Sequence, residues 1–266
     1  MPRNPRFWGN LVNGMKNEYK RLIGLLASLL AFILVWEGLV RVLALPAFIL
    51  PSPLQVAERF GRALSDGSLA RHTGATLLEV LAGLAFGVAL ATLLGYALSK
   101  SALLENMLQP FLVASQAIPT VAIAPLLVIW FGPGIFSKIL ICSLIVFFPV
   151  LVNTVVGLRA VPHNLRDLMR SLRASRWQTL RLLELPAALP VLLGGLRIGA
   201  TLSVIGAVVG ELVGADRGLG FLINVGRGQY DTALVFVGVI TLVILALSLY
   251  GAVLWLEKRL LRWQAS

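Results

Sequence analysis

Apolar residues in this chain fall in long blocks separated by short polar and mostly basic interruptions. The blocks cover about 22–40, 73–98, 103–131, 135–158, 185–213 and 232–256. About 20 helical residues span the roughly 30 Å hydrocarbon core of a bilayer, so each block is long enough to cross one. Backbone groups in lipid are satisfied only in helices or closed barrels, and these blocks are too long for barrel strands. The pattern predicts an all-α polytopic membrane protein with about six transmembrane helices. The third block contains Pro110, Pro119 and Pro125 and is expected to bend or break.

The interruptions add detail. Residues 1–21 are polar and basic, with Trp8, Leu11, Val12, Met15 and Tyr19 at helical spacing. A short helix on the membrane surface and a frayed tail both fit this segment. The first block reads as a retained anchor, because further apolar blocks follow it. Three prolines in Leu45–Pro53 mark a loop, and a partly amphipathic surface helix is expected between Leu54 and Arg71. Neither a tandem repeat nor a linker divides the chain. One transmembrane domain is expected over 22–258, flanked by segments 1–21 and 259–266.

Composition agrees with a lipid solvent. The chain is 58% apolar and 13% charged, against about 45–50% and about 25% in soluble domains. Its net charge of +11 does not point to nucleic acid, because the basic residues lie between apolar blocks and form no single stripe. With the N-terminus inside, the inner segments carry 15 Lys and Arg and the outer loops seven, with Lys138 counted outside and Arg197 inside a block. That asymmetry places both termini in the cytoplasm. Cys142 is the only cysteine and lies in an apolar block, so it is expected to pack.

The longest basic interruption between blocks is VPHNLRDLMRSLRASRWQTLRLLELPAALP, from Val161 to Pro190. Pro162, Asn164 and Asp167 resemble a helix start, with Asn164 as the expected N-cap. Leu165, Leu168, Met169 and Leu172 recur at i, i+3, i+4 and i+7, while Arg166, Arg170 and Arg173 take another face. Such a helix either rests on lipid headgroups or docks in a groove of a partner.

The same loop resembles the cytoplasmic signature of binding-protein-dependent ABC importer permeases, EAA-x3-G-x9-I-x-LP. Asp167, Leu168 and Met169 stand at the EAA positions and Arg173 at the glycine. Leu183 stands at the isoleucine, and Leu185 and Pro186 at the LP. Asp for Glu, bulky residues for the Ala pair and Arg for Gly are departures from the pattern. FILPSPLQV, IPTVAIAPLLVIWFGPGIFSK and GADRGLGFLI are similar to the nitrate/sulfonate/taurine-type branch, and the resemblance covers roughly residues 20–263.

The resemblance implies a type I ABC importer permease fold in the bacterial inner membrane. It implies a second permease copy, two cytoplasmic ATPase subunits and an extracytoplasmic solute-binding protein. ATP and Mg would sit on the ATPases, with no cofactor on this chain. Asp167, Leu168, Met169, Arg170, Leu172, Arg173, Leu183, Leu185 and Pro186 would form the ATPase-coupling segment. Consistent with a separate ATPase, the chain contains no Gly-Lys dipeptide and so no GxxxxGK[ST] loop.

Charges inside apolar blocks are costly and point to function or pairing. Glu37, Glu79 and Arg197 are of this kind, Arg197 either facing a cavity or pairing with an acid. Ser115, Gln116, Pro119, Thr120 and Pro125 of the third block, with Thr201 and Ser203 of the fifth, are candidates for lining a pathway. Gly194, Gly195, Gly199, Ala200 and Gly206 are expected to serve close helix contact. An ATP-independent secondary transporter or channel is the alternative reading. An enzyme is not expected, since His72 and His163 fall on opposite sides of the membrane with no reactive cluster around either. Substrates served by the resembled branch include nitrate-like anions, organic sulfonates and heterocyclic vitamin precursors, and GQYDTALVFVGVITL leans toward the heterocycles.

Overall fold

The computed structural model describes residues 5–262, with the side chains of 5–22, Leu25 and Gln116 outside the description. All regular elements among the described residues are helical: α1 (Pro5–Val42), α2 (Pro53–Ser65), α3 (Ser68–Lys100), α4 (Ala102–Gln116), α5 (Thr120–Phe131), α6 (Ile135–Arg159), α7 (His163–Ser171), α8 (Arg176–Thr179), α9 (Leu185–Gly214), α10 (Leu219–Gly228) and α11 (Thr232–Leu260). A π-helical turn, Leu180–Glu184, joins α8 to α9. Among the described residues, four helical segments are long and apolar enough to cross a membrane, α3, α6, Arg176–Gly214 and α11, and the bent pair α4 and α5 makes a fifth if it is one span. Their limits lie close to the predicted blocks. The first block, 22–40, falls within α1, which continues without a break from the preceding polar segment.

The third block is broken as its prolines require. α4 and α5 meet at 93°, and Pro119 is the N-cap of α5. Proline disfavours helical backbone in the residue before it, here Ile118, and so ends α4. Pro110 and Pro125 remain inside their helices.

The centre of the molecule is the packing of α3, α6 and α9. Small residues recur every fourth position of α3, at Gly83, Gly87, Ala91 and Gly95, and this stripe meets Cys142, Ser143, Val146 and Thr154 of α6. On α9, a Cβ at Gly206 would lie 2.7 Å from the Cα of Cys142, and one at Gly195 would lie 2.7 Å from the Cβ of Asn153. In lipid, helices associate by close van der Waals contact, which small residues permit. The expectation for the α9 small-residue run therefore holds, except that Gly194 faces open space. Cys142 is fully buried, and its thiol donates to the carbonyl of Ser203 at 3.4 Å.

At the outer end, α2 lies across the turn between α10 and α11. Ser52 and Gln55 form a reciprocal capping box at the start of α2, with Pro53 at the first helical position. Val56 and Ala63 pack in one core with Leu219, Leu222, Leu234 and Val237. Arg59 donates to Asp231 at 2.8 Å, while Asp231 also caps α11 through Leu234 N–H. α1 joins this end through Trp36, whose indole N–H donates to the carbonyl of Pro51 at 3.0 Å and whose ring stacks on Phe236.

Replacing Gly206 by Val forces backbone away from backbone and is expected to cost at least about 1–3 kcal/mol. Gly194→Ala should stay within about 0.5 kcal/mol of wild type. Unfolding of both variants in detergent micelles, followed by circular dichroism, checks the contrast.

Candidate functional site

The loop between α6 and α9 is held by a buried carboxylate. Glu184 ends the π-helical turn, is 2% exposed, and forms an ion pair with Lys100 at the end of α3. Arg166 of α7 lies 3.7 Å from the same carboxylate and donates to the carbonyl of Leu158 at 2.6 Å. α7 is thereby tied to the ends of α3, α6 and α9. The π-turn has a local cause: Pro186 has no N–H for the carbonyl of Leu182, and its ring crowds that group. The chain widens instead, and Leu185 N–H bonds back to Leu180.

The structure corrects the expected start of α7. Its N-cap is Pro162, and the side chain of Asn164 lies inside the helix, accepting from Leu165 N–H. Along α7, Leu165, Leu168 and Leu172 are exposed, and Met169 is half-buried. Asp167 and Arg170 pair on the exposed surface at 3.1 Å. Leu183 lies half-buried in the π-turn, and Leu185 and Pro186 open α9.

Arg173 adopts the conformation that the family glycine would favour. Its φ is +53°, its N–H bonds to the carbonyl of Arg170, and Ala174 N–H bonds to that of Met169. This is a Schellman ending with arginine at the left-handed position. An L-residue there costs roughly 1–2 kcal/mol. The turn between α7 and α8 is kept despite the substitution, and Ser175 with Gln178 caps α8 on its far side.

The pathway candidates scatter. Ser115 is half-buried on α4 with its hydroxyl on the carbonyl of Leu112; Pro119 and Thr120 open α5, and Pro125 is exposed inside it. The side chain of Gln116 is outside the described residues. Thr201 is half-buried on α9 between exposed Ile198 and Ile205, so it lies on the face that the chain's own helices leave uncovered. Ser203, expected on the pathway, is instead fully buried against α6 and packs there.

Arg197 pairs with Glu257 of α11 and lies over the Tyr250 ring, which is the helix-pairing reading. Glu37 pairs with Arg41 one turn on.

A second polar centre was not anticipated as a unit. Lys138, assigned above to an outer loop, sits in the first turn of α6 and is 2% exposed. Its ammonium donates to the carbonyl of Pro133 at 2.9 Å and lies 3.9 Å from Glu79 of α3. Glu211 of α9 adjoins Glu79 and accepts from Thr76 at 2.6 Å and from Gly220 N–H at 2.5 Å. Thr76 and His72 accept from the N–H groups of Leu219 and Gly218. The N–H groups of Gly218, Leu219 and Gly220 at the start of α10, which lack helical partners, are thus satisfied by side chains of α3 and α9. Gly218 has φ +119°, and a side chain there would run into the Glu211 carboxylate. A cavity of about 480 Å³ opens beside Glu79 and Lys138. Glu211 and Lys138 could have been suspected from charge inside or at the edge of apolar blocks, but their partners are set by tertiary contact.

Residues 83–262 match the family model described as the binding-protein-dependent transport system inner membrane component. The riboflavin transport system permease protein of Chloroflexus aurantiacus is 49% identical over 244 residues, covering 92% of this chain and 91% of the relative. The formylaminopyrimidine transport permease protein of Halalkalibacterium halodurans is 37% identical, covering 94% and 99%. The taurine transport system permease protein of Escherichia coli is 34% identical, covering 91% and 88%. Among solved structures, an inward-facing MetNI methionine ABC transporter shares the fold, with a TM-score of 0.61, 22% identity, and coverage of 73% of this chain and 96% of that one. The chain belongs to the family of binding-protein-dependent transport system inner membrane components. It is the membrane permease subunit of an ABC importer.

Lys138→Met leaves two buried carboxylates without their cation and is expected to destabilise the protein by about 3–5 kcal/mol. Adding Glu79→Gln should recover part of that loss, which a double-mutant cycle of unfolding measures. Arg173→Gly, by removing the left-handed penalty, should leave assembly intact and raise stability by up to about 1 kcal/mol.

Proposed function

We propose that two copies of this permease form a pathway for a heterocyclic, vitamin-like solute delivered by an external binding protein. α7 serves as its coupling helix, seated in two cytoplasmic ATPase subunits that carry ATP and Mg. The observation that carries the coupling role is the exposed Leu165, Leu168 and Leu172 ridge on a helix tied to three spans. Its own chain leaves that ridge uncovered, and an amphipathic helix presented in this way suits a groove on a partner. The tie through Arg166, Glu184 and Lys100 makes α7 a rigid lever, so movement of an ATPase pair is passed to α3 and α9.

The half-buried hydroxyls of Ser115, Thr120 and Thr201, near the α4–α5 break and on the uncovered face of α9, line the pathway in this reading. A heterocyclic solute ranks ahead of a sulfonate or nitrate-like anion because identity is 49% to the relative named for riboflavin and 34% to the one named for taurine.

Co-expression with the ATPase subunit and purification through a tag on the permease tests the coupling. Leu168→Asp with Met169→Asp should abolish co-elution and lower ATP-dependent uptake at least about tenfold, since charge is driven into an apolar contact. Unchanged co-elution of a folded double variant would remove α7 from the ATPase interface. Uptake of labelled riboflavin and of taurine by cells expressing the complete importer checks the solute class; taurine uptake alone would reverse the ranking.

A further inference from the structure

Beside the coupling segment lies a cavity of about 670 Å³, between the end of α3, α7 and the start of the α8–α9 helix. Four cationic side chains line it: Lys100, Arg166, Arg170 and Arg176. The one carboxylate in the lining is Glu184, and it is already committed to Lys100 and Arg166. Asp167 neutralises part of Arg170 from the exposed rim. Arg176 has no ion pair among the described residues. The cavity therefore carries more positive charge than its own acids balance; Arg166 Nε faces the Glu184 carboxylate at 3.7 Å, and neither it nor Glu184 Oε2 forms a hydrogen bond among the described residues.

We infer that this cavity binds a phosphate group, and that the group is the headgroup of an anionic phospholipid of the cytoplasmic leaflet. Guanidinium groups match phosphate oxygens with paired donors. Basic pockets between spans on the cytoplasmic side are suited to anionic headgroups. The choice of a lipid over free phosphate rests on α3. Leu93, Tyr96 and Lys100 follow one another at i, i+3 and i+7 along one face toward the cytoplasmic end of the helix. Leu93 is 71% exposed, Tyr96 is half-buried, and the Lys100 ammonium lies 5.3 Å from the Tyr96 ring centre. That order of apolar, amphipathic and cationic groups follows the order of tail, glycerol region and headgroup in a lipid. A lipid held there would bridge α3, α7 and α8, the elements that carry the coupling segment.

The complete permease–ATPase complex, purified in mild detergent, is examined by native mass spectrometry after equilibration with phosphatidylglycerol or phosphatidylcholine. Arg176→Gln and the double variant Arg170→Gln/Arg176→Gln are compared with wild type, and Arg176→Lys serves as the charge-preserving control. Wild type should retain phosphatidylglycerol in preference to phosphatidylcholine. Retention should fall roughly fivefold for each arginine removed and recover largely with lysine. Inorganic phosphate at millimolar concentration should leave retention unchanged. Displacement of the lipid by phosphate alone would assign the site to a free anion and overturn the lipid source. Equal retention of the two lipids, or equal retention by wild type and the folded double variant, would overturn the site. Loss of the ATPase subunit from the double variant with unchanged lipid retention would instead assign the cavity to an acidic side chain of that subunit, and the proposal would fall.

Discussion

Contact at backbone distance between α3, α6 and α9 is the constraint on which the rest of the structure depends. Lipid tails are as apolar as leucine, so burying leucine between these helices would gain little over leaving it in the bilayer. What distinguishes the packed state is the close approach permitted by Gly83, Gly87 and Gly95 on α3 and by Gly195 and Gly206 on α9. With these helices fixed to one another, the polar groups they carry meet at defined places near the two ends of the bundle.

The two ends use buried charge differently. At the outer end, Glu79, Lys138 and Glu211 join three helices, and Glu211 with Thr76 and His72 receives the first N–H groups of α10. Removing one member strands another in a site with little water, so the cluster ties the position of α10 to the spans. At the inner end, Glu184 collects Lys100 and Arg166 and sets α7 beneath the bundle. That arrangement leaves the apolar ridge of α7 pointing outward. Its left-handed ending at Arg173 is a local strain that the surrounding hydrogen bonds hold in place.

Much of this was legible from one-dimensional pattern. The ends of α3, α6, α9 and α11 follow the apolar blocks, because lipid demands continuous helices of a set length. The break before α5 follows from Pro119, and the amphipathic period of α7 from its leucines. Features that depend on distant partners are not encoded in local pattern. Asn164 looked like a cap because its type favours caps, yet the chain turns at Pro162 and the helix has already begun. Lys138 looked like a loop residue because lysine usually is one, yet Glu79 and the Pro133 carbonyl draw it inside. Ser203 looked like a polar lining residue, yet its helix face is the one pressed on Cys142.

The sequence by itself determined the solvent, the helices, the orientation and the amphipathic period of α7, because each follows from local composition, period and charge. Only the tertiary structure decided which charges meet: Arg197 with Glu257, Glu79 with Lys138, and Glu184 with Lys100 and Arg166. It also decided that arginine can occupy the glycine position of the loop. These outcomes depend on distances between residues far apart in the chain, which periodicity along one helix does not specify.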